Sequence, residues 1–191
     1  MRMRAVMIAV ALLVTSNMAL AQKPEELTEA INLFKSIPQV APYFTSSAGY
    51  AVFPRIGRGG LGIGGARGKG QVYLGGKATG ISTLTDVTIG AQAGGQAYRQ
   101  IIFFKDKAAY DKFTSGKFEF DASASAVAVT ASAQASAGTQ GASSSAGAGN
   151  PNTGAGTGYP SGGMQTFTMA EGGLMYAATI GGQRYNYKAG K

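Results

Sequence analysis

Gly57-Arg58-Gly59-Gly60-Leu61-Gly62-Ile63-Gly64-Gly65-Ala66-Arg67-Gly68-Lys69-Gly70 sets eight glycines in fourteen residues and leads directly into Gln71-Val72-Tyr73-Leu74. At this density glycine argues against helix, which it weakens by about 1 kcal/mol per interior position. It suits tight turns, strong strand curvature, or close approach of the backbone to a ligand or another strand. A curved sheet is one reading, and a loop whose amides meet a phosphate is the sharper one. Gly57 to Gly62 matches G-x-G-x-x-G after a predicted strand, but no helix pattern follows, which removes the context a dinucleotide site needs. Gly68-Lys69 and Gly76-Lys77 lack both the Ser or Thr and the upstream glycine of a phosphate-binding P-loop. The curved sheet is therefore preferred.

Upstream, Gly49-Tyr50-Ala51-Val52-Phe53 reads as a strand stopped by Pro54. Before it, Pro24 opens a helix with Leu27, Ala30, Ile31 and Phe34 at helical spacing, ending before Pro38. Glu25, Glu26 and Glu29 on its polar face fit a helix docked on a core better than one lying on an anionic membrane.

Downstream, Thr79 to Gly90 and Ala91 to Phe104 read as strands, broken at Gly94-Gly95, with Ile101-Ile102-Phe103-Phe104 buried. Asp106 caps a short helix holding Ala109, Tyr110 and Phe113, and Gly116 stops it. Alternating Ala and Ser from Ala122 to Ala137 suggest a small-residue strand with a bulge. Gly138 to Gly163 has no period and almost no large apolar side chain, so a flexible insertion is expected. Strands resume at Met164 to Met169, Leu174 to Ile180 and Gln183 to Tyr187. Gly94-Gly95-Gln96-Ala97-Tyr98 echoes Gly181-Gly182-Gln183-Arg184-Tyr185, as two equivalent corners of one curved sheet would. The expected fold is α+β: one domain, predominantly antiparallel β, barrel-like or strongly curved, with a packed N-terminal helix and a short mid-chain helix.

Composition narrows the function. The 191-residue chain holds 30 glycines and only 14% charged residues, and it contains no Cys, His or Trp. Thiol nucleophiles, thiolate or imidazole metal sites, disulfides and histidine bases are thereby excluded. The acids Asp86, Asp106, Asp111, Glu119, Asp121 and Glu171 are scattered, with no motif pairing two of them, so no catalytic or metal-binding residues are assigned, no cofactor is implied and the chain is read as a non-enzyme.

Residues 1–21 read as a signal peptide, with Arg2 and Arg4, an apolar Ala5 to Val14 and the cleavage site Ala19-Leu20-Ala21. An exported protein, periplasmic or peripherally associated with the cell envelope, is expected, with residues 22–191 as its single domain. The formal charge is +8, and about +6 remains once the two leader arginines are removed. Between Ala30 and Thr85 stand Lys35, Arg55, Arg58, Arg67, Lys69 and Lys77 without one acid. The unbroken sign points to an anionic partner. Arg67 and Lys69 share parity and hence one face of a strand. Arg55, Arg58, Arg67, Lys69 and Lys77 are the candidate binding residues, worth about 5 kcal/mol against an anionic bilayer at about 1 kcal/mol each. The plain alternative is a solvated surface that keeps the protein soluble. Export argues against nucleic acid. An envelope structural protein, or one that binds a protein or polysaccharide through Tyr43, Tyr50, Tyr73 and Tyr98, is the rival class.

A family resemblance adds to this reading. Tyr50-Ala51-Val52-Phe53-Pro54, the Gly59-Gly60 and Gly64-Gly65-Ala66 run, Gly90-Ala91-Gln92-Ala93-Gly94-Gly95-Gln96, Ile101-Ile102-Phe103-Phe104, and Gly172-Gly173-Leu174-Met175 through Ile180-Gly181-Gly182-Gln183 resemble the SYLF lipid-binding domain in its stand-alone bacterial exported form. The resemblance covers nearly all of 22–191 in order. It implies a domain that binds acidic membrane lipids, phosphoinositides in eukaryotic members, without catalysis. The sequence departs from the eukaryotic pattern in that no SH3 or FYVE-type module is expected beside the domain, and Glu171 stands where lysine is expected in many bacterial relatives.

Overall fold

The computed structural model describes residues 23–120, 127–128, 159, 162–171 and 182–190, with 60–63, 88–96 and 127–128 described by backbone alone. The expected leader at 1–21, all but two residues of the Ala/Ser strand, all but Tyr159, Gly162 and Gly163 of the 138–163 insertion, and the strand expected at 174–180 lie outside the described residues.

Two long strands make the frame: β1 (Gly49–Leu74) and β2 (Lys77–Phe104), antiparallel from Leu74↔Lys77 to Gly49↔Phe104. Gly75 and Gly76 join them, with φ of 55° and 79°. Positive φ at both central positions is the demand of the tight hairpin turn whose twist matches the flanking strands, and glycine meets it without strain.

The glycine-rich run is therefore strand, as the curved-sheet reading expects. Two expected interruptions are absent. Pro54 does not end the strand, because the pairing shifts register between Phe53 and Ile56 and the ring, which lacks an N–H, falls in that bulge. Gly94-Gly95 does not break β2 either, since those residues pair with Gly60 and Gly59. Glycine keeps both ladder groups, so pairing persists where side chains are missing.

β2 is the central strand. Along its second edge β5 (Met164–Ala170) pairs with Tyr98 to Phe104, and β6 (Arg184–Ala189) pairs with Gly80 to Thr85. β3 (Lys117–Glu119) flanks β6, and β4 (Val127–Ala128) lies parallel to β5.

The sheet curls into a half-barrel, so that the two ends of β1 meet. A Cβ on Gly70 would stand 2.7 Å from the Val52 carbonyl oxygen, and one on Gly68 2.9 Å from that of Arg55. Gly49 presses likewise against the Tyr73 carbonyl, and the Gly75 N–H donates to Ala48 O at 3.0 Å. These glycines serve backbone-to-backbone approach rather than turns.

Helices lie on both faces. α1 (Pro24–Lys35) buries Ala30 and Phe34, and the turn through Ile37 and Val40 leads into α2 (Tyr43–Ser46). With Val52, Ile101, Phe103, Phe167 and Met169 they form an outer core. α3 (Lys107–Phe113) is capped by Asp106, whose side chain accepts from the Ala109 N–H at 2.9 Å, and Gly116 follows it at φ 110°. It closes an inner core of Phe53, Ile56, Val72, Ile102, Phe104, Phe118, Phe120 and Tyr185. Residues 51–53 and 101–104 send alternate side chains to the two cores, as the two-residue period of a strand requires.

Candidate functional site

Parity along β2 assigns the faces. Gly80, Ser82, Leu84 and Asp86 are buried toward the inside of the curl, while Ile81, Thr83, Thr85 and Val87 point outward. Register carries this pattern across the sheet. Thr85 lies between Arg67 on β1 and Arg184 on β6, and Glu119 on β3 continues that row. Thr83 lies between Lys69 and Asn186, continued by Lys117, and Ile81 lies between Gln71 and Lys188. One outward face thus holds Arg67, Lys69, Lys117, Arg184 and Lys188. Its one acid among these rows, Glu119, accepts from Arg184 Nε at 2.9 Å.

The other candidates from the sequence sit elsewhere. Lys77 is exposed beside the hairpin turn. Arg55 is exposed near the bulge, 3.8 Å from Glu171, which also holds Arg99 at 3.4 Å; Arg99 in turn ties Glu29 of α1 to the sheet at 3.1 Å. Arg58 turns inward, its side chain 22% exposed and 3.9 Å from the buried Asp86. The structure therefore brings Arg67 and Lys69 together, as their parity predicts, and separates Arg58 from them. Of the tyrosines considered as an exposed binding surface, Tyr43 and Tyr98 are core residues. Tyr50 and Tyr73 are half-buried and stack at 4.8 Å, next to Phe44.

Arg58 and Asp86 belong to a polar cluster that sequence reasoning missed. Gln100 Nε2 donates to the Tyr185 hydroxyl at 2.7 Å and to Gln183 Oε1 at 3.3 Å. The Tyr185 hydroxyl donates to Gln183 Oε1 at 2.6 Å, and Gln183 Nε2 donates to the Tyr98 hydroxyl at 3.0 Å. The tyrosines of the two sequence echoes, Tyr98 and Tyr185, thus meet through one glutamine. Burial pushes the Asp86 carboxyl above its ordinary range, against the opposing pull of Arg58. Burial, aided by the Asp86 charge, pushes Tyr98 up to about 12, and burial holds Tyr185 well above the usual phenol value. The Arg58–Asp86 pair links β1 to β2, and the hydrogen bonds of Tyr98, Gln100, Gln183 and Tyr185 link β2 to β6, while Arg58 Nε, Asp86 Oδ1 and Gln100 Oε1 are buried without a hydrogen-bond partner among the described residues.

Among the described residues no group of three acidic side chains is placed to hold a metal, and no helix is long and apolar enough to cross a membrane. A groove of about 590 Å³ runs beside α3, where Lys105 and Lys112 flank Tyr159 and Gly163.

Arg184, Lys188 and Lys117 complete the outward face, and sequence reasoning omitted them. Arg184 and Lys188 share parity, but the strand expected from the sequence stops at Tyr187, and only the observed β6 and its register with β2 bring both beside Arg67 and Lys69.

A family model described as Ysc84, Las17-binding protein actin regulator, matches residues 85–185, more than half of the chain. No curated protein matches the chain. The matched span takes in Asp86, Tyr98, Gln100, Gln183 and Tyr185, and begins after Arg67 and Lys69.

Proposed function

The chain belongs to the Ysc84 family, the SYLF domain, and on that premise we propose that it is a non-catalytic module that docks on anionic lipid headgroups through the outward face of β1, β2, β6 and β3. The observation that carries this reading is the sign of that face: five cations on three strands against one acid. Each cation near an anionic bilayer is worth about 1 kcal/mol, so the set supports reversible binding that weakens as salt shortens the Debye length. Arg55 and Lys77 lie outside these rows and add to the field around the face. Arg58, committed to Asp86, acts on the interior. The protein is proposed to act after export, in the periplasm or at the cell envelope.

Sedimentation with phosphatidylcholine vesicles, with and without phosphatidylglycerol, tests this. Wild type should pellet only with the anionic vesicles, and less so as salt rises from about 50 mM to several hundred millimolar. Arg67→Glu/Lys69→Glu should abolish pelleting while leaving thermal stability near wild type, because both side chains stand on the outward face. Equal binding to neutral vesicles, or unchanged binding by the folded double variant, would favour an envelope protein or polysaccharide partner instead.

A further inference from the structure

The outward face is not uniformly polar. Among the described residues Val87 and Ile81 are its exposed large apolar side chains, 76% and 40% accessible, and they share the parity of Thr83 and Thr85 between them. Val87 stands opposite Gly65, so β1 offers no side chain to cover it; Ile81 stands between Gln71 and Lys188. They are six positions apart along the strand, about 20 Å at the rise of a β-strand. The rows between them carry Arg67, Lys69 and Arg184. Scattered exposed apolar side chains are ordinary on a protein surface. Here two of them bracket a block of cations on one sheet face, which is the arrangement an anionic bilayer meets with both its phosphates and its apolar interior.

We propose that Val87 and Ile81 enter the interfacial region of an anionic bilayer while Arg67, Lys69, Arg184 and Lys188 meet headgroup phosphates beside them. This rests on the lipid-docking reading and adds an apolar component to it. Purely electrostatic docking vanishes when salt screens the charges, whereas inserted side chains leave a remainder that salt does not remove.

The absence of tryptophan from the chain makes a clean test available. Val87→Trp places a single indole on the face, and Ala108→Trp places one on exposed α3, which packs against the inner core on the other side of the sheet. With vesicles containing phosphatidylglycerol, the Val87→Trp emission should shift to the blue and be quenched by lipids brominated on their acyl chains, and the Ala108→Trp emission should do neither. A Val87→Trp protein that pellets with these vesicles while its emission stays unshifted overturns insertion and leaves headgroup docking standing. If wild type itself fails to pellet, docking falls and insertion with it. As a second variant, Val87→Ser should bind about five- to tenfold more weakly in low salt and keep a smaller high-salt remainder than wild type, Ile81 being still in place. Unchanged binding by Val87→Ser in both conditions also overturns the proposal.

Discussion

The outer face of the sheet has two ends, and the same strand supplies both. At one end β2 presents Ile101 and Phe103, which join Val52, Phe167 and Met169 under α1 and α2. At the other it presents Ile81, Thr83, Thr85 and Val87, flanked by Arg67, Lys69, Arg184 and Lys188, and no described helix lies over them. The inner face, by contrast, supplies buried side chains at both ends of β2, Leu84 at one and Tyr98, Ile102 and Phe104 at the other. The difference shows that the inner side of the half-barrel is buried along its length, by the curl together with α3 and the segment carrying Phe118 and Phe120. What becomes of the other side is decided locally, by whether its outward residues are large and apolar enough to recruit a helix or charged enough to stay in water.

The sharpest way to break this comparison is to damage the covered end and ask whether the open end notices. Phe34 is fully buried between α1 and the sheet, so Phe34→Ala should lower stability by about 3 to 5 kcal/mol in denaturant titration. Vesicle binding by the fraction that stays folded should be unchanged. Loss of binding in a fully folded variant would make α1 part of the docking element. Next in size is the curl that sets both ends. Gly70→Val drives a branched side chain into the Phe53 ring and the Val52 carbonyl, at an expected cost of about 1 to 3 kcal/mol, read as a lowered midpoint in thermal unfolding.

A subtler effect comes from the interior. Burial raises the Asp86 carboxyl, so the folded state holds its proton more tightly than the unfolded chain does. Stability from this group is present below the ordinary aspartate range and declines as pH rises from that range through the raised value. Asp86→Asn should flatten this part of the stability–pH curve, measured by denaturant midpoints across acidic and neutral pH. The smallest effect belongs to the open end: Arg184 and Glu119 are both largely exposed, and Arg184→Ala should change stability by less than about 1 kcal/mol while still weakening vesicle binding.

Much of the fold is legible in local chemistry. Pro24 with its apolar spacing marks α1, and Asp106 with Gly116 brackets α3, because a cap and a left-handed stop are decided within a few residues. Pro54 and Gly94-Gly95 mislead because their effect depends on the partner strand: one falls in a bulge and the other faces glycines. The candidate site divides in the same way. Arg67 and Lys69 follow from parity on one strand. Their association with Arg184, Lys188 and Lys117, and the departure of Arg58 to Asp86, depend on register across a sheet whose neighbours are distant in sequence.

The order of those neighbours also shapes how the chain reaches its native state. β1 and β2 can zip from Gly75-Gly76 as soon as both have been synthesised, with each new pair closing only a slightly longer loop. The second edge of β2 cannot. Phe104 waits for Met164 and Thr85 for Arg184, so a long, partly apolar strand edge stands open until late in translation. An open edge of this kind is the usual template for pairing between chains. Arg67 and Lys69, one strand away from that edge, give the waiting hairpin a like charge that opposes such pairing with its own copies.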